Sequence, residues 1–126
     1  MLRSMPVVAF VPCTKPELAR PFYEGVLGLR FVLEDQFAVV FSADNVMVRV
    51  VNVASVPGHA PAKFTILGWV VPDIENMVRS LAGTGVQFMQ YPGMEQDQLG
   101  IWTSPNGAKV AWFKDPFENV LSVTEL

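Results

Sequence analysis

The sequence predicts an α+β fold built from two similar βαβββ modules. The pattern Gly, apolar, polar, Phe, apolar occurs at residues 28–32 and again at residues 85–89, 57 residues later. Each copy follows an apolar stretch that is typical of a strand and an amphipathic stretch that is typical of a helix. A chain of 126 residues, 51% hydrophobic and 17% charged, suits one compact domain with a real core. The repeat therefore indicates a single domain made of two related halves.

The first strand and the first helix are predicted near the amino terminus. Pro6–Val11 is apolar and β-branched with weak alternation, which predicts a strand buried on both faces. Thr14 and Glu17 have the spacing of a capping box, which predicts a helix start. Pro21 costs about 3 kcal/mol inside a helix. We therefore expect either a short first turn and a main helix from Arg20 with Pro21 at its first position, or a single kinked helix.

Three more strands complete the first module, which we assign to residues 5–53. They are short runs separated by turn-forming residues, and we predict them at Leu29–Glu34, Phe37–Ser42 and Val46–Val53. Residues 54–63 contain two prolines, a glycine and the only histidine, and they show no apolar period. We interpret them as the linker between the modules.

The second module, residues 64–126, repeats this order. Phe64–Val71 is an apolar strand, Asp73 marks a helix start, and apolar residues at 74, 77, 78 and 81 give the helix one apolar face. Gly83 and Gly85 end this helix. Asn106-Gly107 is a strong hairpin signal. The remaining strands are predicted at Val86–Tyr91, Leu99–Thr103, Lys109–Lys114 and Asn119–Glu125.

Composition excludes several partners. The formal net charge is −3, and the nine Lys and Arg residues are scattered, so there is no basic patch for nucleic acid. The longest apolar runs, of about eight residues, fall short of the roughly 20 that span a bilayer, and no signal-peptide pattern begins the chain. A single cysteine, Cys13, fits a reducing compartment. We expect a cytoplasmic protein that binds neither nucleic acid nor membrane.

Short motifs occur in both modules, namely Phe22-Tyr23, Leu27-Gly28-Leu29 and Phe113-Lys114-Asp115-Pro116. Together with the paired βαβββ modules, they resemble the vicinal oxygen chelate superfamily, which contains the glyoxalases, extradiol dioxygenases and bleomycin- and fosfomycin-resistance proteins. The resemblance implies a curled, half-open cup of mixed sheet, with helices on the convex face and ligands in the concave face. The family's Asp-Pro-x-Gly-Asn turn has Glu118 in place of its glycine, so a positive φ there would carry about 1 kcal/mol of strain.

The resemblance also implies where a metal would bind. Metal-dependent members carry one His, Glu or Gln ligand on each of four strands. By spacing from the motifs, these positions fall on Val8, on Val48 or, with a register one residue different, on Arg49, on Leu67 and on Ser122. Aliphatic side chains and one serine do not supply the nitrogen or carboxylate ligands that such ions need. We therefore expect a metal-free cup without a cofactor.

Strand alternation from these positions predicts an apolar, aromatic pocket with a few hydroxyls. Such a lining suits a flat or hydrophobic small molecule. The alternative is that the three tryptophans fill the core. The candidate ligand-binding residues are Val8, Phe10, Val48, Val50, Leu67, Trp69, Trp102, Trp112, Ser122 and Thr124.

No other catalytic pattern stands out. His59 lies in the linker, Cys13 precedes a helix start, and neither a Gly-x-Ser-x-Gly motif nor a phosphate loop is present. We expect a non-catalytic or weakly catalytic protein that binds a small molecule in a sequestration or resistance role, and the resemblance implies a homodimer. One alternative is a metal-dependent lyase, isomerase or dioxygenase with unusual ligands. Another is a subunit or regulator that recognises a protein. The unusual ligands of the first alternative would be His59, Glu24, Glu34 or Glu118.

Overall fold

The computed structural model describes all 126 residues, and the chain divides into two compact units, Met1–Pro61 and Ala62–Leu126. The boundary lies inside residues 54–63. Each unit contains a four-stranded mixed sheet and follows the order βαβββ, so the predicted α+β class is confirmed.

The first sheet has the strand order β1-β4-β3-β2. Strand β1 runs parallel to β4, and the other neighbours are antiparallel. A register shift between Phe31 and Leu33 interrupts the pairing of β2 with β3. The strands are β1 (Val7–Cys13), β2 (Arg30–Glu34), β3 (Ala38–Ala43) and β4 (Val46–Asn52).

The helical segment of the first unit is split, as one of the two alternatives predicted. A 3₁₀ turn at Pro16–Leu18 precedes helix α1, Ala19–Tyr23. Pro21 is the third residue of α1 and not the first, and it is tolerated because the first turn's amides have no partner within the helix. The capping-box prediction was wrong, since residue 15 occupies the cap position of the 3₁₀ turn and makes no side-chain hydrogen bond there.

The second sheet repeats the topology in the order β5-β8-β7-β6, with β5 parallel to β8. Helix α2, Ile74–Gly83, begins as predicted, because the Asp73 carboxylate accepts a hydrogen bond from the Asn76 amide at 3.1 Å. The strands are β5 (Thr65–Val70), β6 (Trp102–Thr103), β7 (Lys109–Lys114) and β8 (Val120–Glu125).

The predicted strand Val86–Tyr91 is absent and is replaced by a loop. Its backbone is tied to β7 by an isolated bridge of Phe88 with Phe113 and by a hydrogen bond from the Met89 amide. The side chain of Gln96 replaces the missing strand partner. It accepts from the Tyr91 amide at 2.7 Å and donates to the carbonyls of Met89 and Gly100, each at 2.8 Å. One side-chain amide therefore satisfies backbone groups that a strand ladder would otherwise pair.

Each sheet buries the face that its helix covers. In the first unit Tyr23 of α1 packs on Phe41 with ring centroids 5.6 Å apart. In the second unit the Glu125 carboxylate accepts a hydrogen bond from the Ile74 amide at 3.0 Å. The helix-covered faces supply much of the buried core, including Val11, Cys13, Val39, Phe41, Val48 and Val50 in the first unit and Ala111, Phe113, Leu121 and Val123 in the second.

Candidate functional site

The pairing register shows which residues lie on the face of the first sheet opposite α1, called here the first helix-free face. Val8 pairs with Met47, and Phe10 pairs with Arg49. Partners across a ladder share a face, so these four residues lie together. Val8 and Phe10 were predicted site residues, and they are 41% and 66% exposed. The expectation that β1 is buried on both faces was therefore wrong.

Val48 and Val50 do not lie on that face, which corrects the prediction for both residues. They pair with Ala9 and Val11 on the helix-covered side and are at most 1% exposed. The alternative register holds, and Arg49 is the β4 residue beside Phe10. A signal in the sequence identifies it, since Arg49 is the one charged residue of an otherwise apolar strand, and a charged side chain is rarely buried without a partner.

The second sheet requires a similar correction for Leu67 and Trp69. Leu67 pairs with Leu121, and Trp69 pairs with Val123. Both partners belong to the helix-covered core. The β5 residue beside Ser122 is Gly68, and a Cβ added to it would lie 2.6 Å from the Ser122 Oγ. A register shift between Thr65 and Leu67 accompanies this change of face. Counting back from the helix could not reveal an irregularity within the strand.

The other predicted residues do come together on the opposite side of this sheet, called here the second helix-free face. Trp112 pairs with Ser122, and Val110 pairs with both Trp102 and Thr124. The rings of Trp102 and Trp112 have centroids 6.2 Å apart and are tilted by 37°. Both tryptophans are half-buried, and Ser122 is buried. These four predicted ligand-binding residues therefore lie on one face, and their role in binding stays a prediction.

Tyr91 joins this face although the sequence reasoning did not name it. Its ring meets Trp112 edge to face, with centroids 5.5 Å apart and an interplanar angle of 87°. The hydrogen bond from its amide to Gln96 holds the main chain at this point. Tyr91 was predicted to lie in a regular strand, and that prediction did not indicate its contact with Trp112. Tyr91, Trp102 and Trp112 form what we call the aromatic cluster.

An open cleft of about 710 Å³ borders the aromatic cluster at Trp102. Its walls come from the loop that Gln96 braces and from the start of β6. A volume of this size is within the range of small-molecule sites. The lining residues are Gly93, Met94, Glu95, Gln96, Asp97, Ile101, Trp102 and Thr103.

The side chains on these two faces do not supply the ligands that a divalent metal ion needs. The sheet positions nearest to the family's ligand positions hold Val8, Arg49, Gly68 and Ser122, none of which supplies an imidazole or a carboxylate. No group of three or more His, Cys, Asp or Glu side chains lies close enough in this chain to hold an ion. A metal bound by this arrangement would lack the charge that offsets its dehydration.

The structure also locates the other titratable residues that the sequence analysis named. Cys13 is buried on the helix-covered side of the first sheet. Asp115 is buried in the turn between β7 and β8, where its carboxylate accepts the amides of Phe117 and Asn119 at 2.8 and 2.9 Å. Glu118 in that turn has a φ of 68°, so it keeps the left-handed conformation that the family's glycine tolerates, and the turn has not lost it. His59 lies in the segment of chain that connects β4 to β5.

Paired βαβββ units, each with a four-stranded sheet whose first strand is parallel to its last, define the class of fold. The family model described as "Glyoxalase/Bleomycin resistance protein/Dioxygenase superfamily" matches residues 6–123. The chain therefore belongs to this superfamily.

Solved structures of the same superfamily share the fold at low identity. A superfamily member from Sphaerobacter thermophilus is 19% identical over 100% of both chains, with a TM-score of 0.77. Lactoylglutathione lyase from Agrobacterium tumefaciens is 17% identical over 99% of this chain and 96% of its own, with a TM-score of 0.76. TnmS3, an antibiotic binding protein from Streptomyces sp. CB03234, is 18% identical over 99% and 98%, with a TM-score of 0.71.

A search of curated proteins gives no match. Neither helix of the chain has the length and apolar character needed to cross a bilayer.

Proposed function

We propose that this protein binds an aromatic or largely apolar small molecule on its second helix-free face, without a metal ion. The observation that carries the proposal is the aromatic cluster of three half-buried rings, in which the Trp112 centroid lies 5.5 Å from that of Tyr91 and 6.2 Å from that of Trp102, beside an open cleft. Rings in this arrangement offer edges and faces to a flat ligand, and burial of the ligand's apolar surface supplies most of the binding free energy.

Polar groups at the same face would orient the ligand. Ser122 makes no side-chain hydrogen bond within the chain, and Thr124 lies two residues further along the same strand, half-buried. Gly68 leaves the space above the Ser122 hydroxyl free of a side chain. A few such groups in an apolar lining are the usual source of specificity in small-molecule sites.

Sequestration or resistance is the role we favour, and TnmS3, which is named for antibiotic binding, supports it. A metal-dependent lyase, isomerase or dioxygenase is the competing function, and the donor set at the sheet positions argues against it. By resemblance we also expect a homodimer in the cytoplasm. Gel filtration at micromolar concentration should therefore give about twice the monomer mass.

A thermal-shift screen of aromatic antibiotics and metabolites, with and without added Zn²⁺, Ni²⁺ or Mn²⁺, tests the function. A ligand at 100 times its dissociation constant stabilises the protein by about 2.7 kcal/mol, which raises Tm by roughly 10 °C for a chain of this length. We expect at least one compound to do so without metal. Binding that requires metal would favour the enzyme, and a screen with no shift under either condition would reject the proposal.

Matched tryptophan variants then locate the site. Trp112→Phe should remove most of the fluorescence change caused by a compound found in the screen. Trp69→Phe is the control, because Trp69 is on the helix-covered side of the same sheet. If Trp69→Phe removes the signal and Trp112→Phe does not, the ligand is not on the second helix-free face.

A further inference from the structure

The first helix-free face carries a charged group that the proposed function does not use. Arg49 is half-buried on the interior strand β4, between Phe10 of β1 and Val40 of β3. Its guanidinium forms no hydrogen bond and no ion pair within the chain. The three ion pairs of the protein all join exposed residues four positions apart. An arginine in the middle of a sheet, flanked by apolar side chains, therefore keeps its five donors available.

One opposite charge, that of Asp35, interacts with Arg49, and it compensates Arg49 only weakly. Asp35 lies in the turn between β2 and β3, and its carboxylate accepts the amides of Phe37 and Ala38 at 2.8 and 3.0 Å. These two bonds are the main reason why the pKa of Asp35 lies below its usual value, and the charge of Arg49 is the smallest contribution. Asp35 is fully exposed, so water screens its attraction to Arg49.

A depression of about 690 Å³ lies on the same unit, and it is lined by the row of paired residues that is two positions from Arg49 along the strands. That row runs from Arg30 through Ser42 and Met47 to Val8. All four of these residues line the depression, together with Arg3 at its amino-terminal side. Asp44 is the one carboxylate in the lining. The depression therefore combines apolar walls with two arginines, in a protein whose net charge is −3.

The distance between Arg30 and Arg49 suits one small ligand. One strand, β3, lies between them, so they are two interstrand spacings or about 10 Å apart across the sheet, and their rows are two residues or about 7 Å apart along the strands. Arginine side chains are long, so those of both residues are able to contact a ligand that lies between the two rows. Guanidinium groups recognise carboxylates with two parallel hydrogen bonds, which compact ammonium groups do not.

We propose that this depression and Arg49 bind an organic anion, namely a carboxylate carried on an apolar body. The carboxylate pairs with Arg49 and Arg30, and the apolar body lies on Val8, Phe10 and Met47. Arg49 stands where the resemblance places a metal ligand on β4. On this face the guanidinium group of Arg49 therefore supplies the positive charge that a metal ion supplies in metal-dependent members. The inference goes beyond the proposed function, because it concerns the other unit and a different chemistry.

The experiment compares 2-naphthoate with 2-naphthamide, which share a ring system and differ in charge. Isothermal titration calorimetry on the full chain should give at least tenfold tighter binding of 2-naphthoate. Arg49→Met should abolish this preference, Arg49→Lys should retain part of it, and Arg30→Met should reduce it. Thermal melts establish that each variant is folded, and Arg49→Lys keeps the test valid if Arg49→Met does not fold.

Arg20→Met is the matched control, since it changes the net charge equally. Arg20 lies on the opposite side of the same unit, where its guanidinium is 3.7 Å from the centroid of the Phe31 ring. We expect Arg20→Met to keep the preference. Equal affinity for the two probes, no binding of 2-naphthoate, or a preference that survives Arg49→Met would overturn the inference.

A further variant separates this inference from the proposed function. Trp112→Phe changes only the second unit and should leave the preference for 2-naphthoate unchanged. Loss of the preference in Trp112→Phe would place the anion on the second helix-free face. That result would overturn the inference while leaving aromatic binding by the second unit intact.

Discussion

Replacement of Glu118 by glycine tests whether the turn between β7 and β8 stores backbone strain. Glu118 has a φ of 68°, in the left-handed region that costs an L-residue about 1–2 kcal/mol. Its carboxylate also forms an exposed ion pair with Lys114 at 2.9 Å. Glu118→Ala and Glu118→Gly both remove that ion pair, so the difference between them isolates the backbone.

The expected difference follows from two opposing terms. Glycine removes the cost of the positive φ, but it loses about 0.4–1 kcal/mol more chain entropy than alanine on folding. Glu118→Gly should therefore be about 1 kcal/mol more stable than Glu118→Ala, which corresponds to roughly 4 °C in Tm. Chemical denaturation with equal m-values for the two variants measures this difference.

Glu75 supplies a control in which the sign reverses. It is exposed in helix α2 and forms an equivalent ion pair with Arg79 at 3.0 Å. Within a helix glycine is about 1 kcal/mol less favourable than alanine, so Glu75→Gly should be the less stable variant of that pair. If Glu118→Ala equals or exceeds Glu118→Gly in stability, the strain argument is wrong.

Two further predictions concern the sheets and their turns. Gly68→Ala should destabilise the second unit because the new Cβ meets the Ser122 Oγ at 2.6 Å, and adding Ser122→Ala should recover most of the loss; additive effects in denaturant titrations would contradict this contact. Asp35→Asn should lower stability at neutral pH, because the lowered pKa of Asp35 gives a contribution that is present above its unfolded-state value and is lost as pH falls through its folded value. The difference in unfolding free energy between Asp35→Asn and the natural protein should therefore disappear below about pH 4. A difference that stays constant with pH would refute the lowered pKa of Asp35 as its cause.

The sequence predicted the architecture well, because repeated apolar periods and turn residues fix the order of elements. Helix α2 was located to its first residue, since Asp73 and the apolar positions after it point to the same start. A split of the first helical segment was one of the two alternatives predicted, although α1 begins two residues before Pro21. The segment around Phe88 was misread because its apolar residues look like a strand, whereas a side chain, Gln96, satisfies its backbone.

The candidate site was predicted less well, and the errors have one cause. Side chains alternate along a strand, so a register error of one residue moves a side chain to the opposite face. This error exchanged Val48 for Arg49 on β4 and Leu67 for Gly68 on β5. Trp102, Trp112, Ser122 and Thr124 lie on one face because they belong to antiparallel pairings near the Asn106-Gly107 hairpin and the Asp115 turn. Whether these residues bind a ligand stays a prediction.

The brace formed by Gln96 has a consequence for how this protein could diversify. Residues 86–101 carry Tyr91 and part of the cleft wall, yet they contribute no ladder to the sheet beyond isolated bridges. Substitutions in this stretch can alter the shape and polarity offered to a guest molecule while the pairing of β5 to β8 persists. Relatives that retain the side-chain amide at position 96 and vary the neighbouring residues would then bind different ligands on the same sheet.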